Sequence, residues 1–210
     1  GKTTCGWIHP DNNRILFSST HLDPKTSQKM KDECAARKSG TKRSYSWDFD
    51  ENYDIFEVDS KKFTFKNLTN IKGYDAESSW SPDGQWIAFA SDRHAFNSKL
   101  SDEEKAALAK NPSSLVEVYI MKANGTEVKR LTSDIGYDGG PFFSTDGKKI
   151  VWRKFNPNGD VAEIYTMNID GSDKKQITHL NAMSWAPYFH PSGEYIIFGT
   201  TVFGHHNFEL

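Results

Sequence analysis

The chain has 210 residues, 26 of them basic and 28 acidic, which gives a net charge of −2. This balance gives no sign of a nucleic-acid-binding or anionic-membrane-binding surface, because such surfaces need an excess of Lys and Arg. No apolar run approaches the roughly 18 residues of a membrane-spanning helix. We therefore expect no nucleic-acid partner and no membrane span. No cofactor is expected either, because the sequence has no cofactor-binding motif.

The chain begins with short runs rich in aromatic and β-branched residues that end in turn-forming residues. The first pair of runs is Trp7–Asn12 and Arg14–Ser19, and the matching second pair is Asp54–Val58 and Asn67–Thr69. Such runs, separated by tight turns, predict strands of an antiparallel meander.

An insertion at residues 21–52 separates the two halves of this first unit. Within it, Thr26 to Lys38 is predicted to be a short helix, and the aromatic segment Ser44–Phe49 either packs on the sheet or presents rings to a ligand. Cys5 and Cys34 either form a disulfide that pins the insertion to its blade or remain two unpaired thiols. Sequence alone does not supply the Cα separation that would decide between these alternatives.

The second unit begins at Tyr74 and contains another insertion, at residues 94–115. Ser101 and Glu104 have the spacing of a capping box, in which each side chain satisfies a backbone N–H at the helix start. A helix is therefore predicted from this point, and Asn111-Pro112 is predicted to end it.

The third unit, Tyr137 to Thr178, is the cleanest copy, and a fourth begins near residue 181. The same interval separates Gly147 from Gly193 and Glu163 from Glu209, so the copies keep a common register. Repeats of about 40–50 residues with four strands each are typical of β-propellers.

The most specific motif is Trp80-Ser81-Pro82-Asp83-Gly84 with Ile87-Ala88-Phe89, followed by Val118-Tyr119-Ile120-Met121, Asn124-Gly125 and Leu131-Thr132. This pattern resembles the TolB-type, WD-like β-propeller repeat, and the resemblance covers nearly the whole chain outside the two insertions. It implies an all-β fold of four-stranded antiparallel blades in a ring of six. It also implies an exported or periplasmic protein.

We interpret residues 1–210 as a single propeller segment with about three and a half blades. The blades are expected at residues 5–69, 73–132, 136–178 and 181–210, the last incomplete. Because an open array exposes unpaired strand edges, we expect a longer protein whose remaining blades cover them, or a separate protein partner.

Both insertions follow second strands, and in a meander such loops lie on the same face as the links between blades. Because repeat proteins often gather insertions on their binding face, we predict the functional surface there and at the channel mouth beneath. The candidate binding residues are Tyr74, Asp75, Arg93, Tyr137, Asp138 and Arg153. They form either a ring of charge that holds a ligand or a structural set, in which each Asp caps a turn and each Arg pairs with an Asp.

No catalytic signature is present: the sequence has no Gly-x-Ser-x-Gly elbow, His-Glu-x-x-His helix or phosphate-binding Gly loop. His205 and His206 with Glu209 have no defined metal-ligand geometry, so no metal is expected. The first hypothesis is therefore a non-catalytic binding module for a protein of the cell envelope. The alternative is the propeller domain of a larger peptidase or hydrolase. A third is an enzyme acting at its own channel, for instance on a glycan, which would need two carboxylates facing one substrate.

Overall fold

The computed structural model describes residues 1–40, 49–204 and 208–209, which form three four-stranded antiparallel sheets and one two-stranded sheet. The first blade contains β1 (Thr3–Ile8), β2 (Arg14–Ser19), β3 (Asp54–Asp59) and β4 (Phe65–Asn67). The second contains β5 (Ala76–Trp80), β6 (Trp86–Ser91), β7 (Glu117–Lys122) and β8 (Lys129–Arg130). The third contains β9 (Asp138–Phe143), β10 (Lys149–Phe155), β11 (Ala162–Asn168) and β12 (Lys175–Gln176). The fourth contains β13 (Ser184–Phe189) and β14 (Ile196–Thr200).

The first strands of the blades are the innermost and pack side by side. β1 contacts β5, β5 contacts β9, and β9 contacts β13. In the third blade, Glu163 pairs with Lys154, and in the fourth blade the equivalent residues, Glu209 and Thr200, form a β-bridge. The register predicted from the repeat is therefore confirmed. This is the arrangement of β-propeller blades, and the described residues do not close a ring.

Hydrophobic layers between successive blades hold the array together. Leu16 and Ile55 of the first blade pack with Trp80 and Phe89 of the second, and Trp152 of the third belongs to the layer that it shares with the second. All five of these side chains are almost fully buried. Because a blade buries its apolar face only against a neighbour, stability comes from these layers more than from single sheets.

The tight turn between the first and second strands has its own hydrogen-bond clamp. In the second blade, Ser81 Oγ lies 2.5 Å from Asp83 Oδ1 and accepts the N–H of Trp86 at 2.9 Å. Ser144 and Asp146 repeat the arrangement in the third blade. These side chains fix the Ser-x-Asp-Gly turn from within.

A second repeated device fastens the outermost strand. A Thr that follows the fourth strand donates a hydrogen bond from its hydroxyl to an acidic side chain at the start of the third strand. The same hydroxyl oxygen accepts the backbone N–H of the residue that follows the acid. The three acid–threonine pairs are Asp54 with Thr69, Glu117 with Thr132, and Glu163 with Thr178. The device explains why β8 and β12, with two residues each, stay attached.

The helices lie in the two insertions. α1 (Thr26–Lys38) and α3 (Asp102–Lys110) confirm the predicted helices, and a short α2 (His94–Asn97) precedes α3. Ser101 and Glu104 form the predicted capping box. In the described residues no helix is long and apolar enough to cross a membrane.

We call the side that carries α1, α2, α3 and the β10–β11 loop the insertion face, and the opposite side, with the tight turns, the hairpin face. The antiparallel order of each sheet places every loop after a second strand on the same side as the links between blades. The three helices and the start of each innermost strand therefore share one face.

Candidate functional site

The insertion face contains a pocket of about 670 Å³ between the third and fourth blades, within the range of small-ligand sites. We call it the insertion-face pocket. Its described lining is Asn111, Ser113, Ser114, Gly136, Tyr137, Phe155, Asn156, Pro157, Gly159, Met183, Trp185 and Phe208. The wall thus combines the segment after α3, the link into the third blade, the β10–β11 loop and the innermost strand of the fourth blade.

Three aromatic rings make a continuous edge-to-face wall in this pocket. Phe155 lies edge-on to Tyr137, with ring centroids 5.6 Å apart, and edge-on to Trp185 at 5.8 Å. This is the preferred geometry of aromatic pairs, because the positive edge of one ring meets the negative face of the next.

A buried ion pair lies behind that wall. Glu77, from the innermost strand of the second blade, accepts hydrogen bonds from Arg153 Nη2 (2.8 Å), the Tyr137 hydroxyl (2.6 Å) and the Gly140 N–H (2.6 Å). The guanidinium of Arg153 also stacks 4.0 Å from the centre of the Trp185 ring. The Glu77 charge raises the pKa of Arg153 further above its ordinary value, against the opposing effect of burial, which is the largest single influence.

Two adjacent glycines make room for this cluster. A Cβ on Gly139 would lie 2.4 Å from the Tyr137 hydroxyl oxygen, and one on Gly140 would lie 2.1 Å from Arg153 Nη1. Gly140 also has a φ of +60°, which disfavours residues with a side chain. The sequence Gly139-Gly140 is therefore the local requirement for the Glu77–Arg153 pair.

Gly140 lies at a bulge that recurs in every innermost strand. Cys5, Glu77 and Ala186 occupy the same repeat position, each with φ near +50°, and the pairing register shifts beside each of them. Glu77 reaches the backbone N–H of the next bulge, and the Cys5 thiol interacts with the backbone N–H of Glu77. In the first and second blades the bulge thus directs a side chain towards the neighbouring blade.

Asp75 and Arg93 form a second buried pair, at the start of β5. Arg93 donates to Asp75 through Nη2 (2.7 Å) and Nε (3.2 Å), while its guanidinium carbon lies 5.0 Å from the centre of the Phe89 ring. Burial raises the pKa of Asp75 to about 6, and Arg93 opposes that rise. The nearby Asp92 accepts the Tyr74 N–H at 2.7 Å.

Asp138 occupies the position equivalent to Asp75 but meets different groups. Its carboxylate lies 4.0 Å from Lys154 Nζ, and burial raises its pKa to about 6, opposed by the Lys154 charge and by Thr132 and Trp152. Glu117 lies in the adjoining blade, where burial and the Asp138 charge raise its pKa to about 8. The two carboxyls form a buried acidic pair between the second and third blades.

The six residues predicted from sequence therefore lie in three separate places. Tyr137 and Arg153 join Glu77 beside the pocket, whereas Tyr74, Asp75 and Arg93 lie together around the second blade, and Asp138 lies with Glu117. One detail differs from the structural alternative considered for these residues: Arg153 pairs with a glutamate and not with an aspartate.

The remaining sequence predictions concern the two cysteines, the aromatic segment of the first insertion and the histidines near the end of the chain. Cys5 and Cys34 are exposed free thiols in the structure, which is the second of the two alternatives left open by the sequence. Residues 44–48 of the aromatic segment, and His205 and His206, lie outside the described residues.

Sequence reasoning missed Glu77, Phe155 and Trp185. Aligning the four units on the turn between their first and second strands places Glu77 at the bulge position, where the other units have Cys5, Gly140 and Ala186. The signal that could have identified Glu77 is that it places a carboxylate where the other units have small residues.

Comparison with known proteins supports the fold. The chain superposes on a TolB-like protein of Agrobacterium tumefaciens with a TM-score of 0.61 and 18% identity, covering 94% of the chain and 59% of that protein. For TolB from Acinetobacter baumannii the TM-score is 0.59 at 22% identity, covering 93% and 37%. For an oligogalacturonate lyase of Vibrio parahaemolyticus the TM-score is 0.59 at 13% identity, covering 95% and 47%. The chain thus has the TolB-type β-propeller fold.

The sequence comparison points to a longer relative. A stretch of 107 residues, half of the chain, is 31% identical to dipeptidyl-peptidase 5 of Porphyromonas gingivalis but spans only 14% of that protein. A prolyl endopeptidase structure superposes with a TM-score of 0.52 at 9% identity, covering 87% of the chain and 23% of that protein. No protein-family model matches. By these coverages, the chain spans less than two thirds of the length of each of these proteins.

Proposed function

We propose that this chain is a non-catalytic binding module of the cell envelope, periplasmic or otherwise exported, which holds a segment of a partner protein on its insertion face. The observation that carries the proposal is the insertion-face pocket, which is concave and walled by Tyr137, Phe155 and Trp185. Aromatic side chains give binding surfaces much of their energy because they desolvate a large area with few rotatable bonds.

The buried charges of the site support a binding role over a catalytic one. Glu77, the carboxylate behind the pocket wall, is bonded by Arg153, which leaves it no free role as an acid or base on a ligand in the pocket. The contribution of Glu77 is to fix the wall, since Arg153 bonds Glu77 and stacks on Trp185 at the same time.

The test is selection of binders from a displayed library of random peptides on the wild-type chain. We expect enriched peptides whose affinity falls about 10-fold or more in Trp185→Ala, a loss typical of an aromatic anchor. The matched control is Trp86→Ala. Trp86 also carries a stacked cation, Lys122 at 3.9 Å, but lies at the end of β6 that adjoins the hairpin face.

Peptides that bind Trp185→Ala as well as the wild type would refute the pocket as the binding site. Failure to enrich any peptide on the wild-type chain would count against a binding module for protein segments.

A second candidate is the propeller domain of a larger peptidase, which the 31% identity to dipeptidyl-peptidase 5 over half of the chain suggests as an alternative to test. Antibodies raised against this chain should then remove dipeptide-releasing activity from an extract of the native source. Undiminished activity after complete depletion of the chain would exclude this candidate.

A further inference from the structure

On the premise that the chain is the binding module proposed above, the chemistry of the insertion-face pocket restricts which ligand group it holds. None of the described lining residues carries a charge. A charged ligand group would lose its hydration on entry without gaining an opposite charge, which is costly. The described lining therefore favours an uncharged ligand group.

The ion pair behind the wall argues further against a cationic ligand. Aromatic cages bind cations through the negative face of the ring. Here one face of Trp185 already carries the Arg153 guanidinium at 4.0 Å, and the same guanidinium lies 5.2 Å from the centre of the Tyr137 ring. A second cation on these rings would be repelled by the first, whereas a neutral ring extends the edge-to-face series of Tyr137, Phe155 and Trp185.

One lining residue has an unused hydrogen-bonding group. Ser114 is 4% exposed, and its hydroxyl has no hydrogen-bond partner among the described residues. The adjacent Ser113 differs, because its hydroxyl donates to Asn111 Oδ1 at 2.9 Å. A buried hydroxyl without a partner is unfavourable, and rotation about its Cα–Cβ bond lets it meet a polar atom of a ligand in the pocket.

We infer that the insertion-face pocket binds an aromatic side chain with a polar tip, a tyrosine or a tryptophan, presented by the partner protein. The ring packs on the aromatic wall, and its hydroxyl or indole N–H bonds the rotated Ser114 hydroxyl. Lysine and arginine side chains are rejected.

The test is a titration of the chain, followed by NMR, with four N-acetyl amino-acid amides: those of tyrosine, tryptophan, phenylalanine and lysine. We expect the tyrosine and tryptophan amides to bind more tightly than the phenylalanine amide, and the lysine amide not to bind. Ser114→Ala should weaken the tyrosine amide by about 3- to 10-fold, the usual effect of one neutral hydrogen bond, and leave the phenylalanine amide unchanged. Ser113→Ala is the matched control and should preserve the preference for the tyrosine amide.

Equal losses for the tyrosine and phenylalanine amides in Ser114→Ala would overturn the role of Ser114. Binding of the lysine amide as tight as that of the aromatic amides would overturn the assignment of the ligand. If library peptides without Tyr or Trp bind and depend on Trp185, this inference fails while the proposed binding module stands.

Discussion

At the scale of single residues, Arg153 shows how the repeat was modified to build a site. Its equivalent in the second blade is Ala90, which pairs with Val118 as Arg153 pairs with Ile164. Arg153 is 4% exposed, so its charge depends on Glu77 to balance the loss of hydration. An arginine at this strand position therefore depends on a carboxylate in the neighbouring blade and on a glycine that leaves it room.

Replacing Gly140 by Ala should destabilise the chain more than the same change at Gly159. Both glycines have positive φ, +60° and +76°, so both variants place a side chain in an unfavourable backbone region. Only Gly140 has a neighbour that its Cβ would strike, Arg153 Nη1, while nothing lies within 4 Å of a Cβ on Gly159. We expect an additional loss of about 1–3 kcal/mol in the free energy of unfolding, measured by urea denaturation. Equal losses would mean that Arg153 moves aside freely.

At the scale of strands and turns, the acid–threonine pairs explain why carboxylates recur at the start of the third strands. Glu117 and Glu163 each bond a Thr hydroxyl that in turn accepts a backbone N–H, so the acid closes the outer edge of its blade. Glu117 differs in facing Asp138 of the next blade. Its ionisation is therefore linked to the contact between two blades.

The stability of the chain should depend on pH through Glu117. Its pKa is about 8 in the folded chain and 4.5 ordinarily, so the folded state binds more protons than the unfolded state between these values. The contribution of Glu117 to the free energy of unfolding thus falls as pH rises from about 4.5 to about 8. Glu117→Gln should therefore gain stability relative to wild type with rising pH, measured as the difference in Tm at pH 5 and pH 8. Asp102→Asn, at a fully exposed carboxylate, is the control for the charge change. A difference in Tm that is the same at both pH values would contradict this linkage.

The parts of the fold set by local sequence were predictable. The bounds of α1 and the capping box of α3 follow from neighbouring residues, and the strands follow from their turn signals. The Glu77–Arg153 pair was not predictable in this way, because it joins two blades and depends on how closely Gly140 lets them approach. The pocket likewise arises from segments far apart in sequence, which strand periodicity does not bring together.

At the scale of the whole molecule, the second and third blades are covered on both sides, and the first and fourth present more apolar surface to solvent. Trp152 and Phe89 are almost fully buried, whereas Ile8 in β1 is 61% exposed and Ile197 in β14 is 43% exposed. Because blades are stabilised by their neighbours, local stability should decrease from the middle of the array to its ends.

Hydrogen exchange followed by mass spectrometry should show this gradient. We expect amides in β6, β7 and β10 to exchange more slowly than those in β1 and β14, since opening a central strand disrupts two hydrophobic layers. The comparison of β6 with β14, both second strands, controls for position within a blade. Equal protection of the two would indicate that the array opens as one cooperative unit.

The recurring bulge has a consequence for how such a molecule diversifies. Cys, Glu, Gly and Ala all occupy that position in this one chain while the backbone keeps its left-handed turn. At this position the Cys5 thiol and the Glu77 carboxylate both reach a backbone N–H of the next blade's bulge, while the strand pairing on either side of each is kept. The same backbone position therefore accepts different side-chain chemistry from blade to blade without a change in the sheet around it.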